Sequence, residues 1–237
     1  MGTADMEVEP PPGVLRHPEM AWVPASPMLA AFHIDVHAVT NGEFARFIAK
    51  TGYVTVAERR GVDSNDLDAG LVFVPGACWR CPEGPDSHIS GSANFPVVQI
   101  AYDDAAAYAA WARKSLPTRA EWEVAARGGL EGAGSPNARQ GKLPSHSACA
   151  HGFPGLTPVK SFPPNPYGLY DMGGNIWEWT TDSLSDSNVG APRKILKGGP
   201  YLRAQSYSAV HAAAPYARTV DTTSCHIGFR CVARVAR

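Results

Sequence analysis

Residues 102–129 read YDDAAAYAAWARKSLPTRAEWEVAARGG, two helices set end to end with a stop between them. The first begins near Asp103 or Asp104, with acid in its opening turn, and carries Tyr108 and Trp111 three residues apart on the face expected to be buried. It ends at Leu116, because the ring of Pro117 disfavours helical backbone in the residue before it. The second starts at once. Thr118 and Glu121 stand in capping-box spacing, Trp122, Ala125 and Ala126 face inward, and Gly128 supplies a left-handed C-cap.

Upstream, residues 40–52, TNGEFARFIAKTG, follow the same grammar: Thr40 and Glu43 cap, Phe44, Phe47 and Ile48 share a face, and Gly52 closes. Residues 30–39, AAFHIDVHAV, alternate as a strand does, with Phe32, Ile34 and Val36 on one side and His33, Asp35 and His37 on the other. Elsewhere the signals are short: strands at 97–101 (VVQIA), 193–197 (RKILK) and 228–234 (GFRCVAR), set among loops. Twenty-three Gly and twenty-one Pro, with no repeat, predict many turns and little regular structure. The expected class is α+β, one domain over 20–237 with two or three helices, after a disordered Pro-rich lead over 1–19.

Composition narrows function. With 44% hydrophobic residues the 237-residue chain has ample material for a core. A formal net charge of −1 offers no field for nucleic acid or anionic lipid, so neither is an expected partner. No apolar run reaches membrane-span length, and the opening MGTADMEVEPPPGV has neither the basic nor the apolar region of a secretory signal. Five cysteines, an odd and sparse set, fit a reducing compartment, which makes a cytoplasmic location the expectation.

Five phrases carry a resemblance that covers nearly the whole chain from about Met20. They are TNGEFARFIAKTGYVT, FPVVQIAYDDAAAYAAWARKSLPTRAEWEVAARGGL, SFPPNPYGLYDMGGNIWEWTTD, KGGPYL and HIGFRCVAR. In order and wording they resemble the formylglycine-generating enzyme (sulfatase-modifying factor) family. The resemblance implies a C-type-lectin-like α+β domain poor in regular structure. It also implies a calcium site at Asp171, Gly174, Ile176 and Glu178, from two side chains and two backbone carbonyls, a donor set that suits a hard cation. The competing reading makes Trp177 and Trp179 core aromatics and Glu178 a buried acid neutralised by an arginine. A glutamate framed by two tryptophans otherwise carries a large desolvation penalty, which favours structural calcium.

In the resembled family two cysteines, four and nine residues beyond the second Gly of a Gly-Gly-Ser turn, bind Cu(I) as thiolates. With O₂ they oxidise a substrate cysteine, within a Cys-x-Pro-x-Arg-type peptide, to formylglycine. Counted from Gly199, those positions here are Arg203 and Ser208, and the turn's Ser is Pro200. Neither a guanidinium nor a hydroxyl replaces a soft thiolate, so copper is not expected. Downstream, AVHAAAPYAR (209–218) is mostly Ala where the family carries Arg and Tyr. The segment 128–158 lacks the family's tryptophan-glycine-aspartate turn and the phrase that supplies a second calcium site, so that site is not expected. Trp177, Arg203, Tyr207 and Ser208 remain as candidate groove residues for a sulfatase-type polypeptide or another protein segment.

Other constellations are weaker. Cys78 and Cys81 with Cys149 and His151 have a zinc inventory, but they lie in separate loops and Cys81 stands where relatives carry His. A CxxC redox pair lacks the βαβ context of thioredoxin-like sites. His33 and His37 would lie roughly 13 Å apart on a strand. A non-haem iron site, as in related sulfoxide-forming ergothioneine enzymes, also needs an acid where this chain has Val39. Cys231 reads as a core thiol, and His211 and His226 as ordinary histidines near the old active site. Three functions follow: a catalytically diverged member keeping a calcium-stabilised scaffold and a groove; an active oxidase; or a different enzyme using His211, Tyr207 or Cys225 with a new metal. The loss of both thiolates favours the first.

Overall fold

The computed structural model describes residues 11, 17–60, 74–129, 155–184, 192–199 and 216–235. Two small sheets and four helices occupy them. β1 (Met20–Val23), β2 (Phe32–Asp35) and β7 (Val232–Arg234) form an antiparallel sheet in the order β1-β2-β7. β3 (Trp177–Leu184), β4 (Arg193–Gly198), β5 (Tyr216–Thr219) and β6 (Ile227–Gly228) form the second, in the order β5-β4-β3-β6, with β6 parallel to β3. The helices are α1 (Asn41–Thr51), α2 (Val56–Arg60), α3 (Tyr102–Trp111) and α4 (Arg119–Arg127). None of them is long and apolar enough to cross a membrane.

α1 and α4 form where their caps say they should. Both Thr40 and Thr118 complete capping boxes with the glutamate three residues on, and Gly52 and Gly128 end the helices in left-handed conformation, φ 66° and 62°. α3 has no such side chain at its start. Asp104 turns back instead, taking the Ala101 N–H at 3.0 Å, and its other oxygen accepts from the Tyr53 hydroxyl and the Val56 N–H. One buried carboxylate therefore starts α3 and ties α2 to it. Tyr108 is buried as expected, but Trp111 is 41% exposed, its ring reaching back over Phe47 and Tyr108 at the helix end.

Two cores result. Phe44, Phe47, Tyr108, Trp79 and Phe229 interlock between α1, α3 and β3, with Trp177 and Trp179 on the same side. Val23, Phe32, Ile34, Trp122, Ala125, Leu169 and Met172 fill the space between α4 and the three-stranded sheet.

Three expectations change. β2 pairs along both edges and is covered on both faces: His33 and Asp35, and His37 just beyond the strand, are buried as well as Phe32 and Ile34. Asp35 is held by Lys114 Nζ at 2.5 Å and the Cys231 N–H at 2.8 Å, and the His33 ring lies edge-on to His17 and Trp22. Residues 97–101 make no ladder, because Gln99 takes φ 58°, which breaks an extended run; the amides of Val97 and Gln99 bond to Val39 and Ser224 instead. The run 228–234 is not one strand but a crossing: β6 belongs to one sheet and β7 to the other, and Arg230 lies between them. Gly228 is required there, since a Cβ would collide with the Val97 carbonyl. The lead over 1–19 falls almost wholly outside the described residues.

Candidate functional site

The turn that feeds β3 is held by side chains that imitate backbone. Asn165 accepts from the Tyr167 and Leu169 amides and donates to the Ala125 carbonyl near the end of α4. Asn175, at φ 71°, pairs with both backbone groups of Thr157 at 3.0–3.1 Å. Asp171, at φ 58°, takes the Lys160 N–H at 3.2 Å. Asparagine and aspartate tolerate this left-handed backbone better than other non-glycine residues do.

From Trp177 onward the chain is a strand, and alternation separates its three large residues. Trp177 and Trp179 point into the first core: Trp179 donates its Nε1 to the Ile100 carbonyl at 2.8 Å, and Trp177 stacks on Tyr216 with ring centroids 4.3 Å apart. Glu178 points the other way, toward the second core. Its Oε2 accepts from Arg230 Nε at 2.7 Å and from Trp122 Nε1 at 2.7 Å, and its Oε1 from Arg230 Nη2 at 2.8 Å. The fork and the carbonyls of Asp35 and Tyr170 engage four of the five guanidinium N–H groups. Side-chain exposure is 1% for Glu178 and 0% for Arg230, so the pair is desolvated and is held by a two-bond fork. It ties together β2, β3, α4, the Tyr170 turn and the crossing between sheets.

Of the expected donor set, Asp171 and Glu178 are both buried, but they are compensated differently. Burial pushes the Asp171 carboxyl up, and one long amide hydrogen bond and the more distant Arg230 only partly restore it. The Gly174 carbonyl accepts from the Ile176 N–H at 2.9 Å and the Ile176 carbonyl from the Gly199 N–H at 3.1 Å. Asp171 is thus an acid short of a cation, whereas Glu178 already has one. Each carbonyl keeps a lone pair, and Oε1 of Glu178 keeps another. By chemistry the four donors are oxygens of the kind a hard cation takes, but the fork to Arg230 already balances the charge of Glu178, which leaves Asp171 as the acid with room for one.

Arg203, Tyr207, Ser208, His211 and Pro200, and the Cys149 and His151 half of the zinc inventory, lie outside the described residues. The described cysteines are unpaired. Cys231 is completely buried and its thiol is pushed well up by burial and the nearby Asp35. Cys225 is half-buried; burial pushes its thiol up, and its Sγ lies 3.7 Å from Nδ1 of His226, whose ring also contacts Ser224 Oγ at 3.1 Å. Burial and then Arg218 push the His226 imidazole down. Among the described residues no three His, Cys, Asp or Glu side chains converge as a metal centre. The competing reading, core tryptophans and a Glu178 neutralised by an arginine, is the arrangement present, and the arginine that sequence reasoning left unidentified is Arg230. Its signal was a single cation inside the apolar run GFRCVA, which needs a buried acid as its partner.

Residues 2–235 match the family model described as the sulfatase-modifying factor enzyme 1-like domain. A formylglycine-generating enzyme from Mycobacterium tuberculosis is 42% identical over 263 residues, which span 86% of this chain and 87% of that protein. A Mus musculus protein named inactive C-alpha-formylglycine-generating enzyme 2 is 38% identical over 236 residues, 87% of this chain and 76% of its own. Among solved structures, the crystal structure of CarF superposes with a TM-score of 0.58 at 25% identity, covering 88% of each chain.

Proposed function

The chain belongs to the sulfatase-modifying factor enzyme 1-like family, and within it we propose a catalytically diverged member that keeps a calcium-stabilised scaffold and a groove for a peptide or protein segment. The observation that carries this reading is the replacement of the family's two copper-binding thiolates by Arg203 and Ser208. The remaining thiols near the C-terminal end support it. Cys231 is sealed in the core, and burial holds Cys225 as a thiol rather than a thiolate. A relative named inactive, at 38% identity, is consistent with a family that holds the fold without the oxidation.

Calcium at Asp171, the Gly174 and Ile176 carbonyls and Glu178 would supply charge compensation and stiffness to the turn before β3, and no chemistry beyond that. Asp171, buried and undercompensated, is the feature that favours it. A sulfatase-type polypeptide is the partner this family membership suggests, bound beside Trp177, Arg203, Tyr207 and Ser208, and the cytoplasm is the proposed location. The second reading, an active oxidase, draws on the 42% identity to a formylglycine-generating enzyme, and it would need Cys225 to serve as a thiolate.

Anaerobic titration with Cu(I) tests the diverged reading. It is best done on the Cys78→Ser, Cys81→Ser variant, since two neighbouring half-buried thiols could hold Cu(I) by themselves. No tight stoichiometric site is expected, and a one-to-one site would overturn the reading.

A further inference from the structure

Cys78 and Cys81 belong to neither core nor to the turn before β3, yet the fold sets them face to face. The Cys78 N–H donates to the Cys81 carbonyl at 3.1 Å, the Cys81 N–H donates back at 3.0 Å, and the two residues form an isolated antiparallel bridge around Trp79 and Arg80. A doubly hydrogen-bonded antiparallel pair holds its Cα atoms about 5.5 Å apart, inside the range of roughly 4.4–6.8 Å that a disulfide spans. Burial pushes the Cys81 thiol up, and the neighbouring Cys78 thiol adds to that push. Both residues are free, and neither is sealed in the core as Cys231 is.

The turn is braced from every side. Trp79 is 1% exposed with its ring against Phe44, and Arg80 lies over that ring at 4.2 Å. The Cys81 carbonyl also accepts from Gly84, and Gln99 Nε2 donates to the Pro82 carbonyl at 2.6 Å. The two thiols are therefore held together before any bond joins them, and the missing βαβ context is replaced by this anchored hairpin.

We propose that Cys78 and Cys81 are a reversible thiol–disulfide couple that exchanges with small-molecule disulfides of the glutathione class. One protein thiol loses its proton, and its sulfur attacks a sulfur of the incoming disulfide, forming a mixed disulfide and expelling a thiolate. The second protein thiol, deprotonated in turn, attacks the protein sulfur of that mixed bond, closes Cys78–Cys81 and expels the second thiolate. The two protein sulfurs are oxidised by two electrons, the small disulfide is reduced, and the two released protons convert its halves to thiols. The ring so closed spans a four-residue segment, so it constrains the unfolded chain little and lacks the resistance to reduction of a long structural bridge.

Treatment of the full chain with oxidised glutathione, followed by mass spectrometry of the intact protein and its peptides, tests this. The expected result is loss of two hydrogens with a Cys78–Cys81 bond in a single peptide, reopened by an excess of reduced glutathione. The Cys78→Ser variant should stop at a persistent glutathione adduct on Cys81, and Cys149→Ser and Cys225→Ser should oxidise as the parent does. The proposal is overturned by wild-type protein that accumulates adducts without closing the bond. It is equally overturned by linkage of either residue to Cys149 or Cys225, or by a bond that reduced glutathione cannot reopen.

Discussion

Arg230 meets Glu178 where neither touches water, and each depends on the other for charge. A buried pair of this kind adds little net stability over an apolar pair, but removing one partner strands the other, at a cost of about 3–5 kcal/mol. Arg230→Met, which keeps the volume and removes the charge, should lower the unfolding free energy by about that amount, read from denaturant melts. Adding Glu178→Gln should recover a substantial part of the loss, and additive losses would mean that the two side chains are not coupled. Asp171 poses the complementary case, an acid with too little compensation. A calcium chelator should lower the melting temperature of the wild-type chain and leave Asp171→Ala unmoved; a wild-type melt that ignores the chelator would leave the turn stiffened by Asn165 and Asn175 alone.

Elements whose causes are local were readable in advance. The boundaries of α1 and α4 agree with expectation because the capping boxes and C-cap glycines act within a few residues of themselves. The strands were harder, since a strand's fate depends on what lies beside it. β1 and β3 carry weak local signals and exist because β2 and β4 pair with them. The alternation of β2 separates its polar side, but not what encloses Asp35 there: Lys114, just beyond α3, and the backbone of Cys231, far along the chain. At the site, the alternation of Trp177, Glu178 and Trp179 was legible as three buried residues, but the partner of Glu178 lies 52 residues away and no spacing announces it.

Asp104 carries the pH prediction for the elements. Burial pushes its carboxyl above the ordinary 3.8, against the pull of the Val56 and Ala101 amides and the Tyr53 hydroxyl. The folded chain then keeps this proton to a higher pH than the unfolded chain does, so the group's contribution is fullest below 3.8 and is lost as pH rises through the raised value. Asp104→Asn should be less stable than wild type at low pH, and the gap should narrow as pH climbs through that window. A gap that widens would show that the three donors outweigh burial.

For the whole molecule, family and fold rest on phrases spread from α1 to β7, and the family match spans residues 2–235. That breadth is why the scaffold was readable: dozens of positions agree. In the proposed reading the reaction rests on only two positions, those held here by Arg203 and Ser208, and so could be lost while the scaffold stays. The most direct measurement supplies the full chain with Cu(I), O₂, a reductant and a Cys-x-Pro-x-Arg peptide, and follows the peptide by mass and by aldehyde-reactive labelling. The account predicts that the peptide keeps its cysteine and gains no aldehyde; formylglycine formed over repeated turnovers would contradict it.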